Sequence, residues 1–188
     1  MIGRLPETLT VCGKELPINA DFRNILIIFE ALTDEKLTPE EKAYISIKRL
    51  YKAPISRAMV EEAIKQAYWF LDGGDMPKSA PAEVKMLDWK HDESMIMPAV
   101  SKTIGVVDIR SLPFLHWWSF LGAFGEVGDG LCSQVLYLRH KLAKGEKLSK
   151  PEQEFVRKNN DLVVLRTTEE QQAIEETENF LDKLLAKE

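Results

Sequence analysis

Asp72, Asp75, His91, Asp92 and Glu93 form the most enzyme-like set in the chain, because carboxylates beside a histidine can hold a hard or borderline metal ion or move a proton. Their spacing matches no ligand signature, and the same residues serve equally as helix caps and as polar flanks of a linker. His116 precedes Trp117-Trp118, where an imidazole in an apolar pocket could act as a base; a satisfied structural histidine on a buried helix is the simpler reading. Gly73-Gly74 belongs to no G-x-x-x-x-G-K-[ST] or G-x-G-x-x-G pattern and sits where a helix should end. Neither G-x-S-x-G nor H-E-x-x-H occurs. Cys12 and Cys132 lie far apart with no C-x-x-C, so both read as buried or idle thiols. The residues thus point to a protein without catalytic, cofactor-binding or metal-ligating side chains.

Aromatic and basic residues together raise a second chemistry, the stacking of bases over a basic groove. Trp117 and Trp118 occupy an apolar stretch, however, whereas the basic residues between 139 and 150 follow in the next segment. With 25 Lys and Arg against 30 Asp and Glu, the net charge is −5, which offers no general attraction to phosphate backbones or anionic lipid. Nucleic acid is not the expected partner. Charge is nonetheless uneven: residues 137 to 158 hold seven basic and three acidic residues, net +4, whereas residues 166 to 188 hold three and seven, net −4. These stretches read as solvated faces that neutralise each other, or as a polar surface for self-association or an acidic partner.

The elements that must position these residues are mostly helical. The chain's 188 residues, 45% of them hydrophobic, with 10 Gly and 9 Pro, suit one globular domain, which at this length buries about 70% of its unfolded surface. Thr8–Val11 and Glu15–Ile18, flanking Cys12-Gly13-Lys14, read as a hairpin in which Pro17 restricts its strand to an edge. Asp21 caps a first helix whose stripe is Phe22, Ile25, Leu26, Phe29 and Leu32. Thr38-Pro39-Glu40-Glu41 is a capping box with proline at the first helical position, opening a helix with Ala43, Tyr44, Ile47, Leu50 and Tyr51 inward. Ser56 caps a third helix, which Gly73-Gly74 stop. Residues 75–87, with Pro77 and Pro81, read as a linker between an N-terminal part, 1–74, and a C-terminal helical part, 88–188, although one continuous domain is compatible with the pattern.

In the second part Asp88 reads as the cap of a helix kinked by Pro98 or starting late, near Ser94, and ending at Gly105. A strongly apolar helix follows Ser111, with Pro113 in its first turn and Phe114, Trp117, Trp118, Leu121 and Phe124 on one face. Leu131, Val135, Leu138 and Leu142 mark the next helix. Ser149-Lys150-Pro151-Glu152 is a second capping box, and a last helix starts at Thr167 or Thr168. No apolar run approaches the roughly 20 residues of a membrane span, and no secretory signal is evident, so a cytoplasmic protein is expected. The fold class is mainly α: a compact set of about seven or eight helices with a small N-terminal β-hairpin.

The series Val107-Asp108-Ile109, Leu115-His116-Trp117-Trp118-Ser119-Phe120-Leu121, Tyr137-Leu138-Arg139 and Glu154-Phe155-Val156-Arg157-Lys158-Asn159-Asn160-Asp161-Leu162 resembles a family of small proteins. They are encoded among the tail genes of long-tailed bacteriophages and prophages of Gram-positive hosts. The resemblance covers roughly residues 88 to 165, and the His-Trp-Trp sequence with the later Arg is its most specific part. It implies a tail assembly chaperone of the host cytoplasm, which binds the tape measure protein and helps tail tube subunits polymerise around it. A structural tail or head–tail connector subunit and a small nucleic-acid-binding phage protein are the alternatives. The expected partner-binding residues are Trp117, Trp118 and Phe120, the two tryptophans as core or groove anchors, and Arg139, Lys141 and Lys144 as rim contacts; self-association is compatible with this arrangement.

Overall fold

A computed structural model describes residues 3–74 and 86–165. The hairpin pairs β1, Thr8–Val11, with β2, Lys14–Pro17, in an antiparallel register that sets Leu9 opposite Leu16 and Val11 opposite Lys14. Cys12 at φ 50° and Gly13 at φ 74° make the two-residue turn, the mirror-image type whose twist matches that of the strands. Alternation buries Leu9 and Val11, and α3 (Val60–Leu71) covers that face. Pro17 is the last residue of β2; its carbonyl accepts from the Lys52 N–H, and the next residue, Ile18, continues the pairing on the β1 side, its N–H donating to the Glu7 carbonyl at 3.0 Å.

Local signals explain the next helices. Asp21 caps α1 (Phe22–Thr33), accepting from the Arg23 N–H at 3.0 Å. At the start of α2 (Pro39–Leu50) both halves of the capping box form: Thr38 Oγ1 accepts from the Glu41 N–H, and Glu41 accepts from the Thr38 N–H. Tyr44, expected inward, is 66% exposed; Ser46 is the buried residue at that level, with its hydroxyl donating to the Lys42 carbonyl. Ser56 begins a 3-10 turn, Arg57–Met59, rather than α3 itself, and makes no side-chain cap.

After residue 86 the order is α4 (Glu93–Ile104), a 3-10 turn at Ile109–Ser111, α5 (Trp117–Gly125), α6 (Leu131–Ala143), α7 (Lys150–Lys158) and the single turn α8 (Asn160–Val163). Asp88 does not cap α4. Its carboxylate instead holds the N–H groups of Lys90 and His91 in a turn that leaves Trp89 outside the helix. Pro98 lies inside α4, which therefore contains the proline and starts at Glu93. The apolar helix starts at Trp117, later than expected: Leu112 to Leu115 run as irregular chain, and Phe114 is 56% exposed. His116 is the actual cap, its Nδ1 accepting from the Trp118 N–H at 3.0 Å. The last expected helix, from Thr167 or Thr168, lies outside the described residues, as do residues 75–85.

The contacts make two compact units among the described residues, residues 3–74 with 88–134 and residues 86–87 with 135–165. The first unit joins chain from either side of residues 75–87, and the second begins within α6. In the first, α1 packs on α2 and α5, α2 on α3, and α4 on α5. Its core is Phe22, Ile25, Ile28, Leu50, Phe70, Ile96, Val100, Trp117 and Phe120, all essentially inaccessible. In the second, α7 packs on α8, and Leu138 and Val163 are buried.

Candidate partner-binding site

Two antiparallel backbone bonds bring the His-Trp-Trp segment to its place: the Phe22 N–H donates to the Leu115 carbonyl at 2.9 Å, and the Trp117 N–H to the Ala20 carbonyl at 2.8 Å. Asp21 fastens the same junction. Its carboxylate accepts from Arg23 Nε and Nη2 at 2.8 Å each and from the Leu115 N–H at 3.3 Å, while Arg23 reaches on to the carbonyls of Arg110 and Pro113. Partial burial alone would raise the Asp21 pKa, but the hydrogen bonds from Arg23 and Leu115 outweigh it and hold the carboxyl below its ordinary value.

With α5 fixed there, the two indoles reach the open C-terminal end of α3. Trp117 Nε1 donates to the Leu71 carbonyl at 2.9 Å, and Trp118 Nε1 to the neighbouring Phe70 carbonyl at the same distance. A helix end leaves carbonyls without intrahelical partners, and here consecutive side chains of another helix supply them. The chain turns away at Gly73 and Gly74, whose φ values of 76° and 91° suit glycine. A Cβ at Gly74 would lie 2.7 Å from Trp118 Cη2, so the bare backbone is what lets the indole seat.

Of the core and groove roles open to Trp117, the structure shows the core one, and Phe120 is a core residue with it rather than a partner contact. Their rings stack at 5.5 Å, Phe22 stacks on Phe120 at 5.0 Å, and Trp89 meets Trp117 edge-on at 5.8 Å. Trp118 is half-buried against Phe70 and Trp69. His116 is the satisfied structural histidine: with Nδ1 accepting, Nε2 carries the proton, 3.0 Å from the Pro6 carbonyl.

Of the cations expected at the rim, Arg139 is instead buried, at 5% exposure, because the carbonyls of the short α8 turn need donors. Its guanidinium donates to the carbonyls of Val163, Leu162 and Met86, a planar fork holding three chain segments of the second unit. Lys141 is half-buried and paired with Glu152 at 3.0 Å, the same carboxylate that closes the Ser149 capping box. Glu152 is held at about 2 by the Ser149 N–H, the Lys141 ammonium and the Ser149 hydroxyl. Lys144 remains exposed.

The enzyme-like set disperses. Asp92 is buried and accepts from His91 Nδ1 at 3.0 Å and from the Asp88 N–H at 3.0 Å, closing the turn before α4. Asp72 follows α3, where burial raises its pKa, and Asp75 lies outside the described residues. No three His, Cys, Asp or Glu side chains among the described residues converge on a metal-sized site. Cys12 is exposed in the hairpin turn, its Sγ 3.2 Å from Glu62 Oε2, and Cys132 is buried.

Two grooves in the first unit were not foreseen. One, of about 460 Å³, runs between α4 and the loop Glu126–Gly130, over Met95, Pro98, Ala99, Val127 and Leu131. The other, of about 420 Å³, lies between α1 and Trp89, over Phe22, Leu26, Ile27 and Met97. A glycine-rich loop following an apolar helix was the available signal for the first, since a chain without side chains leaves space beside its neighbours.

A family model described as Bacteriophage Gp15 protein matches residues 1–165 of this chain. The chain belongs to that family. The match takes in the hairpin and first helices together with the His-Trp-Trp helix, so the whole described fold is the Gp15 unit. No curated protein matches the chain, and no solved structure does. No described helix of this Gp15 protein is long and apolar enough to cross a membrane.

Proposed function

We propose that this Gp15 protein is a tail assembly chaperone of the phage, acting without a catalytic residue. It binds the tape measure protein, keeps that long helical client soluble in the host cytoplasm, and hands it to tail tube subunits as they polymerise. A groove-and-rim surface is what such work requires, because an amphipathic helix is recognised by an apolar trough with charges at its edge. The observation that supports the reading most is the pair of apolar grooves flanking α4 in a member of a phage protein family.

Co-expression with the tape measure protein of the same phage, followed by affinity capture, tests the proposal. Co-purification with a gain in client solubility is expected; loss of both refutes it. Mass spectrometry of purified virions separates a chaperone from a structural subunit, because a chaperone is missing from the particle.

A further inference from the structure

The two grooves differ in what their rims offer. Around the groove between α1 and Trp89 the charges are engaged with one another: Arg23 with Asp21 at 2.8 Å, Lys90 with Glu30 at 2.7 Å, and Arg110 with Asp108 at 2.8 Å. Around the groove between α4 and the glycine loop they are not. Lys102 on one wall and Glu126 and Asp129 on the other are exposed and form no ion pair among the described residues. Leu131 on the floor is 46% exposed.

Part of the loop's backbone in that groove is already engaged. The N–H groups of Glu126 and Val127 are taken by the Gly122 and Phe124 carbonyls, and that of Gly130 by Ser133 Oγ at 3.1 Å. No strand lines it. An extended peptide would therefore find no ladder to join, whereas a helix arrives with its own backbone satisfied and needs only side-chain complementarity.

We infer that the groove between α4 and Glu126–Gly130 docks an amphipathic helix of the client, its apolar stripe on Ala99, Pro98 and Leu131, with basic side chains along Glu126 and Asp129 and an acidic one toward Lys102. The inference deepens the chaperone reading and rests on it for the client's identity. Complementary charge fixes the direction of the helix, since reversing it would set like charges together.

The test uses the full chain co-expressed with the tape measure protein. Ala99→Trp fills the groove, Glu126→Lys with Asp129→Lys reverses one rim at exposed positions, and Ile27→Trp fills the other groove as a control. Capture weaker by about ten-fold or more is expected for the first two and unchanged capture for the third. If Ala99→Trp does not reach the wild-type circular dichroism spectrum, the rim variant decides. Wild-type capture by both groove variants, or loss with Ile27→Trp alone, overturns the inference and leaves the chaperone reading standing. Failure of the wild-type chain to capture the tape measure protein ends both.

Discussion

Replacing Gly74 by alanine tests the seat of the Trp118 indole. The residue sits at φ 91°, where an L side chain is strained by about 1–2 kcal/mol. Its new Cβ would stand 2.7 Å from Trp118 Cη2 and 3.1 Å from Cζ2, so the ring must retreat by roughly 1 Å to reach ordinary contact. That retreat pulls Nε1 from the Phe70 carbonyl, now 2.9 Å away, at a further cost of about 1 kcal/mol. Against this, alanine stiffens the unfolded chain by about 0.5 kcal/mol, leaving a net loss of about 2 kcal/mol. Gly105→Ala is the matched control, because φ there is 80° and a Cβ meets nothing within 4 Å. Urea unfolding followed by tryptophan fluorescence should place Gly74→Ala at least about 1 kcal/mol below Gly105→Ala, or several degrees in melting temperature. Equal stabilities for the two variants would refute the claim that this indole packs on bare backbone.

Trp117→Phe keeps a ring in the core but leaves the Leu71 carbonyl without its donor, and a stability loss of about 1–3 kcal/mol, read as a lower urea midpoint with unchanged slope, is expected. Arg139→Lys cannot reproduce a fork that reaches three carbonyls; a loss of about 2–3 kcal/mol should appear as faster amide exchange in residues 159–164, and unaltered exchange there contradicts the assignment. Glu152→Gln probes the capping box through pH. Because the folded carboxyl titrates at about 2, below its unfolded value, its stabilising contribution is fully present above the ordinary carboxylate range and is lost as pH falls toward 2. The stability gap between wild type and Glu152→Gln should therefore close on acidification, and a gap constant from pH 7 to pH 2 counts against it.

Features that depend on a few adjacent residues were legible in the sequence. Thr38-Pro39-Glu40-Glu41 and Ser149-Lys150-Pro151-Glu152 both form reciprocal caps, since all four groups come from one turn. The Cys12-Gly13 turn and the Gly105 stop follow equally from local backbone preference. Features set by distant chain were not. Ser111 and Pro113 mimic a helix opening ahead of α5, while the actual cap, His116, is held by Pro6, 110 residues earlier. Arg139 has the sequence surroundings of a surface cation, because nothing nearby in sequence shows that Met86 and the α8 carbonyls converge on it. Tyr44 has inward spacing but protrudes, because periodicity gives a face and not how far the neighbouring helix covers it. Of the expected binding residues, Trp118, Lys141 and Lys144 keep accessible surface; one groove arises where α4 meets the loop Glu126–Gly130 and the other where α1 meets Trp89, and no short motif reports either.

The end of α3 is completed by side chains that lie 46 and 48 residues further along the polypeptide. At roughly 5–20 residues per second, a ribosome needs about 2–10 s to add that stretch. Throughout that interval the nascent hairpin and first three helices wait with the Leu71 carbonyl and an aromatic hollow open to water, while the Phe70 carbonyl has the Gly73 N–H. Maturation of the first unit is thus timed by synthesis of the tryptophan pair, and a stalled or truncated product ending before residue 117 is the species that quality-control proteases would meet.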